Sequence, residues 1–324
     1  MTAANGRPDL VTIGITCFNA AGTIERAILS ALKQDWPHCE ILIVDDCSSD
    51  TSAAVIERLI ASHGHARLIR HTKNKGPAGA RNTILAEARG EFVAFFDDDD
   101  EALAHRVRSQ VEHLTAYETR SGARLIACHA SGERHYSTGY RMALEAIGSR
   151  GREPPHGPAV AEALLLNRHR PDWFFGAGPG SGSLLARRST FQAVGGFDPA
   201  LRRVEDADFA VRMALLGGHF IGTPEPLFVQ YATSSPDKSP EKNLEAEQAM
   251  VIKHRAYLES IDAYHYALNW PKLRYCHFKR RYGTFSLVFL KIFLRNPLFA
   301  TRHLLTSGPR RLMHERRITR GAQA

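Results

Sequence analysis

At 324 residues, 44% of them hydrophobic, the chain can bury a full core, which argues against a disordered protein and suits one large domain with an appendage or two modest domains. The five cysteines, Cys17, Cys39, Cys47, Cys128 and Cys276, are odd in number and form no C-x-x-C pair, so neither a disulfide framework nor a zinc site is expected and a reduced, cytoplasmic setting is. The net charge is +8, but residues 270–324 carry thirteen Lys and Arg against one acid, Glu315, a local +12 that leaves −4 on residues 1–269.

The N-terminal "MTAANGRPDL" lacks the basic-then-apolar order of a secretory leader. No uncharged apolar run reaches the roughly 18 residues of a spanning helix, so neither export nor a membrane span is expected. Along the chain, "VTIGIT" (Val11 to Thr16) reads as a strand, "TIERAILSALKQ" has helical spacing, and "EILIVD" is a buried-strand run. "SSDTSAAVIERLIASHG" opens with capping residues and stops at Gly64; "ARLIRH" is a third strand. "GPAGARNTILAEARG" is a third helix and "EFVAFF" a fourth strand. This βαβαβαβ order predicts a mostly parallel sheet with flanking helices, whose strands deliver their C-terminal ends to one ligand-binding edge.

Carboxylates crowd that edge: Asp45 and Asp46 end the second strand and Asp97 to Asp100 end the fourth. Four acids in a row repel one another unless a cation joins them, and hard oxygen donors suit Mg²⁺ or Mn²⁺, ions that complete their shell with substrate phosphates and water. The competing reading is that these acids cap a helix starting near Ala102. The first strand is followed by "CFNAAGT", with one glycine, so neither a dinucleotide fingerprint nor a P-loop is present and backbone cradling of a diphosphate is not expected.

Several segments, in order over about Leu10 to Val229, resemble glycosyltransferase family 2: the opening strand and helix, "EILIVDDCSSDTS", "NKGPAGARN", "GEFVAFFDDDD" with its D-x-D, and "VGGFDPALRRVEDADF". The resemblance implies a GT-A fold and an inverting, metal-dependent transfer of sugar from a nucleotide-diphosphate donor, expected to be a UDP-sugar. It places Asp97 at the ribose, Asp98 beside it in the acidic segment, Asp99 at the metal, and Thr16, Phe18 and Asp46 around the base. Side-chain alternation in extended backbone would turn Asp97 and Asp99 to one side and Asp98 away. Arg81 would reach the base or a phosphate, or pair with Asp45 or Asp46. The resemblance puts the catalytic base at Asp206, with Glu205 orienting the site or binding acceptor; Asp206 also suits a helix cap, and Asp208 competes for the base role. Trp173, at the head of "DWFFGAGPGSGS", is a candidate aromatic wall for the acceptor sugar, or else a buried anchor. The histidine expected as a metal ligand after the last strand is absent, with Tyr231 and Thr233 in that neighbourhood.

The C-terminal tail is set apart at about residue 240, the catalytic domain dividing into a nucleotide-sugar half (about 10–100) and an acceptor half (about 125–230). "FSLVFLKIFLRNPLFATRHLL" is dense in Phe and Leu, carries Lys291, Arg295 and Arg302, and should break at Pro297. Such a basic amphipathic segment fits a peripheral location on an anionic membrane surface, or packing on the protein. A lipid-linked saccharide acceptor would suit the first alternative; no nucleic-acid motif accompanies the charge. The remaining rivals are a sugar-phosphate nucleotidyltransferase, which would want a glycine-rich basic loop after the first strand, and a saccharide-binding protein without turnover.

Overall fold

The structure, a computed structural model, describes residues 9–232 and 239–305. Two compact units divide the chain. The first is formed by residues up to His135, by Arg141–Ala161 and by His169–Tyr231; the second takes Tyr136–Tyr140, Glu162–Arg168 and the chain from Ala232 onward.

The first half alternates as its periodicity predicts: β1 (Val11–Cys17), α1 (Ile24–Leu32), β2 (Cys39–Asp45), α2 (Ser52–Ile60), β3 (Ala66–Arg70), α3 (Gly76–Glu87) and β4 (Phe92–Asp97). Helix α1 buries Ile24, Ala27, Ile28 and Ala31, one face of a 3.6-residue repeat, in a core shared with Ile13, Ile15, Ile41 and Phe96 of the strands. Helix α3 lies so close over β1 that a side chain at Gly14 would overlap Ile84. A second series follows: β5 (Glu101–Ala102), α4 (Arg106–Ser121), β6 (Ile126–His135), β7 (Arg141–Leu144), α5 (Pro158–Leu166), a 3-10 turn (Ser181–Ser183), β8 (Leu184–Arg187), α6 (Arg188–Val194), α7 (Glu205–Leu215) and β9 (His219–Tyr231).

The sheet runs β3-β2-β1-β4-β8-β6-β9-β5, with β7 on β6. Strands β3, β2, β1 and β4 are mutually parallel, as is β6 with β9, while β8, β5 and β7 pair antiparallel, so the sheet is mixed but mostly parallel among its long strands. One sequence expectation fails here. No helix starts near Ala102, because Glu101 and Ala102 pair with Val229 and Phe228 of β9 and the Leu103 amide donates to the Leu227 carbonyl at 2.8 Å. The helix begins only at Arg106, so Asp97 to Asp100 are not its caps.

The second unit is helical: α8 (Pro240–Lys253), α9 (Arg255–Ser260), α10 (Tyr264–Phe278), α11 (Tyr282–Arg295) and a further helix over residues 297–305. The break falls at Asn296, and Pro297 opens the next helix, where its missing N–H costs nothing.

Candidate active site

The ends of three strands are level at one edge of the sheet. In register, Thr16 of β1 lies between Val44 of β2 and Asp97 of β4, and Cys17 is opposite Asp45. The loops beyond are tied together by the short polar side chains of "CSSDTS". The Asn19 amide donates to Ser48 Oγ (2.9 Å) and the Ser49 amide to Asn19 Oδ1 (2.8 Å). The Ala20 amide donates to Ser52 Oγ (2.9 Å) and that of Ala21 to Asp50 Oδ2 (3.0 Å). Within this clamp Phe18 is not a core aromatic. It is 48% exposed at the strand-end edge, with its ring available to a planar ligand.

Asp46 has a definite job. Its oxygens accept from the backbone amides of Lys75 (2.8 Å) and Gly76 (2.7 Å), at the N-terminus of α3, and a 2.7 Å hydrogen bond joins Oδ1 to His71 Nδ1. Asp46 is only 3% exposed. Its carboxylate therefore anchors α3 and orients His71, whose Nε2 is joined to Thr83 Oγ1 at 2.9 Å. The sequence shows the acid but not these partners.

The acidic segment does not alternate as an extended strand would. β4 stops at Asp97, Asp98 and Asp99 form a turn, and each acid acquires its own surroundings. Asp98 turns back toward β1 and accepts from the Phe18 amide at 3.1 Å. Asp100 is buried and accepts from the Tyr231 amide (3.2 Å) and Gln230 Nε2 (3.4 Å) of β9. Arg26 donates to the Asp99 carbonyl and lies 3.8 Å over the Tyr231 ring, fixing the turn from the α1 side. Tyr231 thus braces the segment through its amide and ring; Thr233 lies outside the described residues.

Beneath the turn sits Arg106, a residue the sequence gives no reason to single out. It is 1% exposed, donates from Nη2 to the carbonyls of Phe95 (3.0 Å) and Gly182 (2.8 Å), and from Nε to Gln110 Oε1 (3.1 Å). Gln110 in turn donates to the carbonyls of Cys128 (2.8 Å) and Ser183 (2.9 Å). Burial pulls the Arg106 guanidinium down to about 10, against the opposing pull of Asp97 and Asp100.

This one buried cation does not balance the acids. Burial first, then repulsion by the neighbouring aspartates, pushes Asp98 up to about 7 and Asp100 up to about 8 from an ordinary 3.8. A carboxyl whose pKa is higher in the fold than in the unfolded chain binds more protons when folded. The contribution of these two to stability therefore falls as pH rises from about 4 to 8, and any cation that joins the cluster opposes that fall. Among the described residues no group of three or more His, Cys, Asp or Glu side chains is arranged to enclose a metal ion. The donor set fits a hard divalent ion held by one or two carboxylates and completed by phosphate and water, rather than a closed protein cage.

The second acidic group faces the first. Helix α7 starts at Glu205 after Val204, a β-branched residue held in the left-handed region at φ 59°, a conformation that costs about 1–3 kcal/mol and recurs at functional sites. Arg81 of α3 links the two groups, donating from Nη1 to Glu205 Oε1 at 2.6 Å and approaching Asp97 Oδ1 with Nη2 at 3.6 Å. It pairs with neither Asp45 nor Asp46. Burial opposes its charge, but Glu205, Asp97 and Asp206 together outweigh that and push its pKa up. Burial likewise raises the carboxyls of Asp97 and Glu205, with Arg81 pulling each back. Asp208 is fully buried, accepts from Arg212 Nε at 2.9 Å, and has no access to the crevice, so its candidacy as the base fails. Asp206 is half-buried and accepts from the Ala207 amide at 2.7 Å.

Asp97, Arg81, Glu205 and Asp206 all line one cavity of about 280 Å³. Arg134 and Gln230, joined by a 2.7 Å bond from Arg134 Nε to Gln230 Oε1, and Phe228 line it as well. The glycine loop completes the lining: Ala177, Gly178, Gly180, Ser181, Gly182 and Ser183. Gly182 packs so tightly on Asp97 that a methyl group there would overlap the carboxylate. Trp173, by contrast, does not line this cavity. It is buried, its ring 5.0 Å from that of His156, and so anchors the loop from behind. The expected acceptor-side loop thus meets the acids through its glycines and serines, not through its aromatic head.

Residues 12–171 match the family model described as glycosyl transferase family 2, a span that takes in Thr16, Asp46, Arg81 and Asp97 to Asp99 and stops short of Glu205 and Asp206. The chain is 40% identical over 109 residues to the succinoglycan biosynthesis protein ExoO of Rhizobium meliloti, covering 34% of this chain and 30% of that protein. It is also 40% identical over 105 residues to the Escherichia coli UDP-Glc:alpha-D-GlcNAc-diphosphoundecaprenol beta-1,3-glucosyltransferase WfgD, covering 32% and 41%. The chain thus spans less than half the length of either relative. In fold it is similar to S. aureus TarS 1-349, solved in complex with UDP-GlcNAc, at a TM-score of 0.59 and 18% identity over 91% of this chain and 79% of that one. With the GT-A-type sheet and its strand-end acids in place, residues 12–171 of the chain form a glycosyl transferase family 2 region.

Proposed function

We propose that the chain transfers a sugar, with inversion, from a UDP-sugar to the hydroxyl of a saccharide or lipid-linked saccharide, in the manner of enzymes that build cell-surface polysaccharides. One observation carries the reading: Asp97, at the strand-end edge where a donor would lie, and Asp206, on a separate helix, line the same 280 Å³ cavity. That spacing of elements gives a donor-side carboxylate and a candidate base a common space in which one reaction can occur.

The residues divide the work. Phe18 would pack on the uracil ring, Thr16 would border it, and Asp46 would fix the loop and helix around it. Asp97 would take the ribose, with Asp98 holding the loop of Phe18 in place. Asp99 would hold Mg²⁺ or Mn²⁺, which when bound supplies positive charge against the leaving diphosphate. Asp206 would accept the proton of the acceptor hydroxyl as that oxygen bonds to the anomeric carbon, while the bond from that carbon to the diphosphate oxygen breaks on the opposite face. Glu205, through its 2.6 Å bond to Arg81, would keep the two halves in register. The structures of TarS with UDP and with UDP-GlcNAc support a uridine nucleotide, and the WfgD-like sequence supports a diphosphopolyprenol-linked acceptor.

Purified chain given labelled UDP-sugars, Mn²⁺ and saccharide-diphosphopolyprenol acceptors should label the lipid-linked product with at least one donor. UDP release without any labelled product, across donors and acceptors, would reduce the protein to a hydrolase. Sugar-1-phosphate and UTP yielding UDP-sugar would favour the nucleotidyltransferase reading instead.

A further inference from the structure

We infer that the outward face of α11 and of the helix over 297–305 is a docking surface for an anionic lipid bilayer. Helix α11 buries Ile292 and half-buries Phe285, Val288 and Phe289, which together make its inward face. The other side is apolar as well, which is unusual for a helix already packed on one face. Leu287, Leu290 and Leu294, spaced three and four apart, are 71%, 52% and 73% exposed.

The next helix repeats the pattern. Its buried side carries Ala300 and His303, with His303 joined to Tyr266 Oη at 2.6 Å and stacked on Trp270 at 3.5 Å. Leu298, Arg302 and Leu305, at i, i+4 and i+7, are turned to solvent, Leu298 being 88% exposed.

Charge selects the occupant. Residues 270–305 contain eight Lys and Arg and no acid. Some of these are neutralised within the unit: Lys279 pairs with Glu241 at 2.6 Å, and Arg274 pairs with Glu247. Lys291 and Arg295 are exposed, follow one another by one turn beside the leucine ridge, and have no acidic partner among the described residues. A second copy of this chain docking on the same face would bring the same cations against them, since a two-fold contact is self-complementary in shape but not in sign. An anionic headgroup layer meets the cations and accepts the leucines below it, the arrangement of a helix lying in the interface plane. Among the described residues no helix is long and apolar enough to cross a membrane, so the contact would be lateral. Residues 306–324 add Arg310, Arg311, Arg316, Arg317 and Arg320 against Glu315, in the same sense of charge. This inference stands apart from the reading of the cavity, because it concerns the second unit alone.

Co-sedimentation of the full chain with vesicles tests it. The wild type should pellet with vesicles of phosphatidylcholine containing phosphatidylglycerol, less with pure phosphatidylcholine, and less at high salt. Leu287→Gln with Leu294→Gln should weaken binding to the mixed vesicles by about tenfold or more, and Lys291→Gln with Arg295→Gln should reduce the preference for phosphatidylglycerol. Both pairs change exposed positions, and an unchanged urea midpoint would verify the fold. Equal binding by the leucine variant and the wild type, or no binding by the wild type, overturns the inference. So does a wild-type dimer in sedimentation velocity that the leucine substitutions dissociate, which would make the face a contact between copies.

Discussion

Replacing Asp206 by Asn is expected to leave the affinity for UDP-sugar within about twofold of wild type and to lower transfer by roughly 10²–10⁴, the range a positioned general base contributes. The substitution is chosen to isolate proton acceptance. Asn keeps the shape and an oxygen that can accept from the Ala207 amide, as Asp206 Oδ1 does at 2.7 Å, so the first turn of α7 keeps its local bond. What it loses is the ability to take a proton. Because the step concerns the acceptor, donor hydrolysis by water should fall as well, and KM for donor should hardly move. Transfer at the normal rate would remove Asp206 from the base role. Since Asp208 is sealed against Arg212, the base would then have to be Glu205 or a group on the acceptor.

The second large effect falls on stability. Arg81→Met should cost about 3–5 kcal/mol in urea unfolding, because it strands Glu205, a carboxylate that the fold has desolvated, and removes one of the cations beside the partly exposed Asp97. Arg81 is 6% exposed and Glu205 7%, and their 2.6 Å contact joins α3 to α7 across 124 positions of sequence. Raised carboxyl pKa values follow from the same burial, and without Arg81 those of Glu205 and Asp97 should climb further. The loss should therefore deepen with increasing pH, since the stranded groups must ionise in the fold. Adding Glu205→Leu to Arg81→Met should recover part of the stability, because an apolar pair of similar volume carries no uncompensated charge. A loss below about 1 kcal/mol would mean that solvent screens the pair as it does at a surface.

Much of this arrangement is legible in the sequence, for a physical reason. Buried parallel strands read as continuous apolar runs, and helices with one apolar face read by their period, so "VTIGIT", "EILIVD" and "EFVAFF" could be placed and ordered, and their C-terminal ends brought to one edge. What period cannot show is a change of backbone direction. Strand alternation would turn Asp97 and Asp99 to one side, yet the chain turns at Asp98 because Glu101 and Ala102 must reach β9, a pairing of partners more than a hundred residues apart. Long-range partners are equally silent. Nothing near Arg106 marks it as the buried cation beneath Asp97, and nothing near Asp46 names His71 and the α3 amides as its partners. Trp173 shows a choice the sequence leaves open: an aromatic residue beside glycines suits a sugar wall or a buried anchor, and the chain buries the ring and presents the glycines. The exposure of Phe18 was undecidable from sequence, since a strand-end phenylalanine reads alike inside and out.

The claim on which the rest depends is that strand-end acids and a divalent ion together grip the diphosphate of a uridine nucleotide. Calorimetric titration of the chain with UDP, first with Mn²⁺ and then in excess chelator, addresses it most directly, with Asp99→Ala as the matched variant. The account predicts binding with the metal, a loss of at least about tenfold (1.4 kcal/mol) in chelator, and a variant that binds UDP equally weakly in both conditions. Equal UDP affinity for the wild type with and without metal would contradict it.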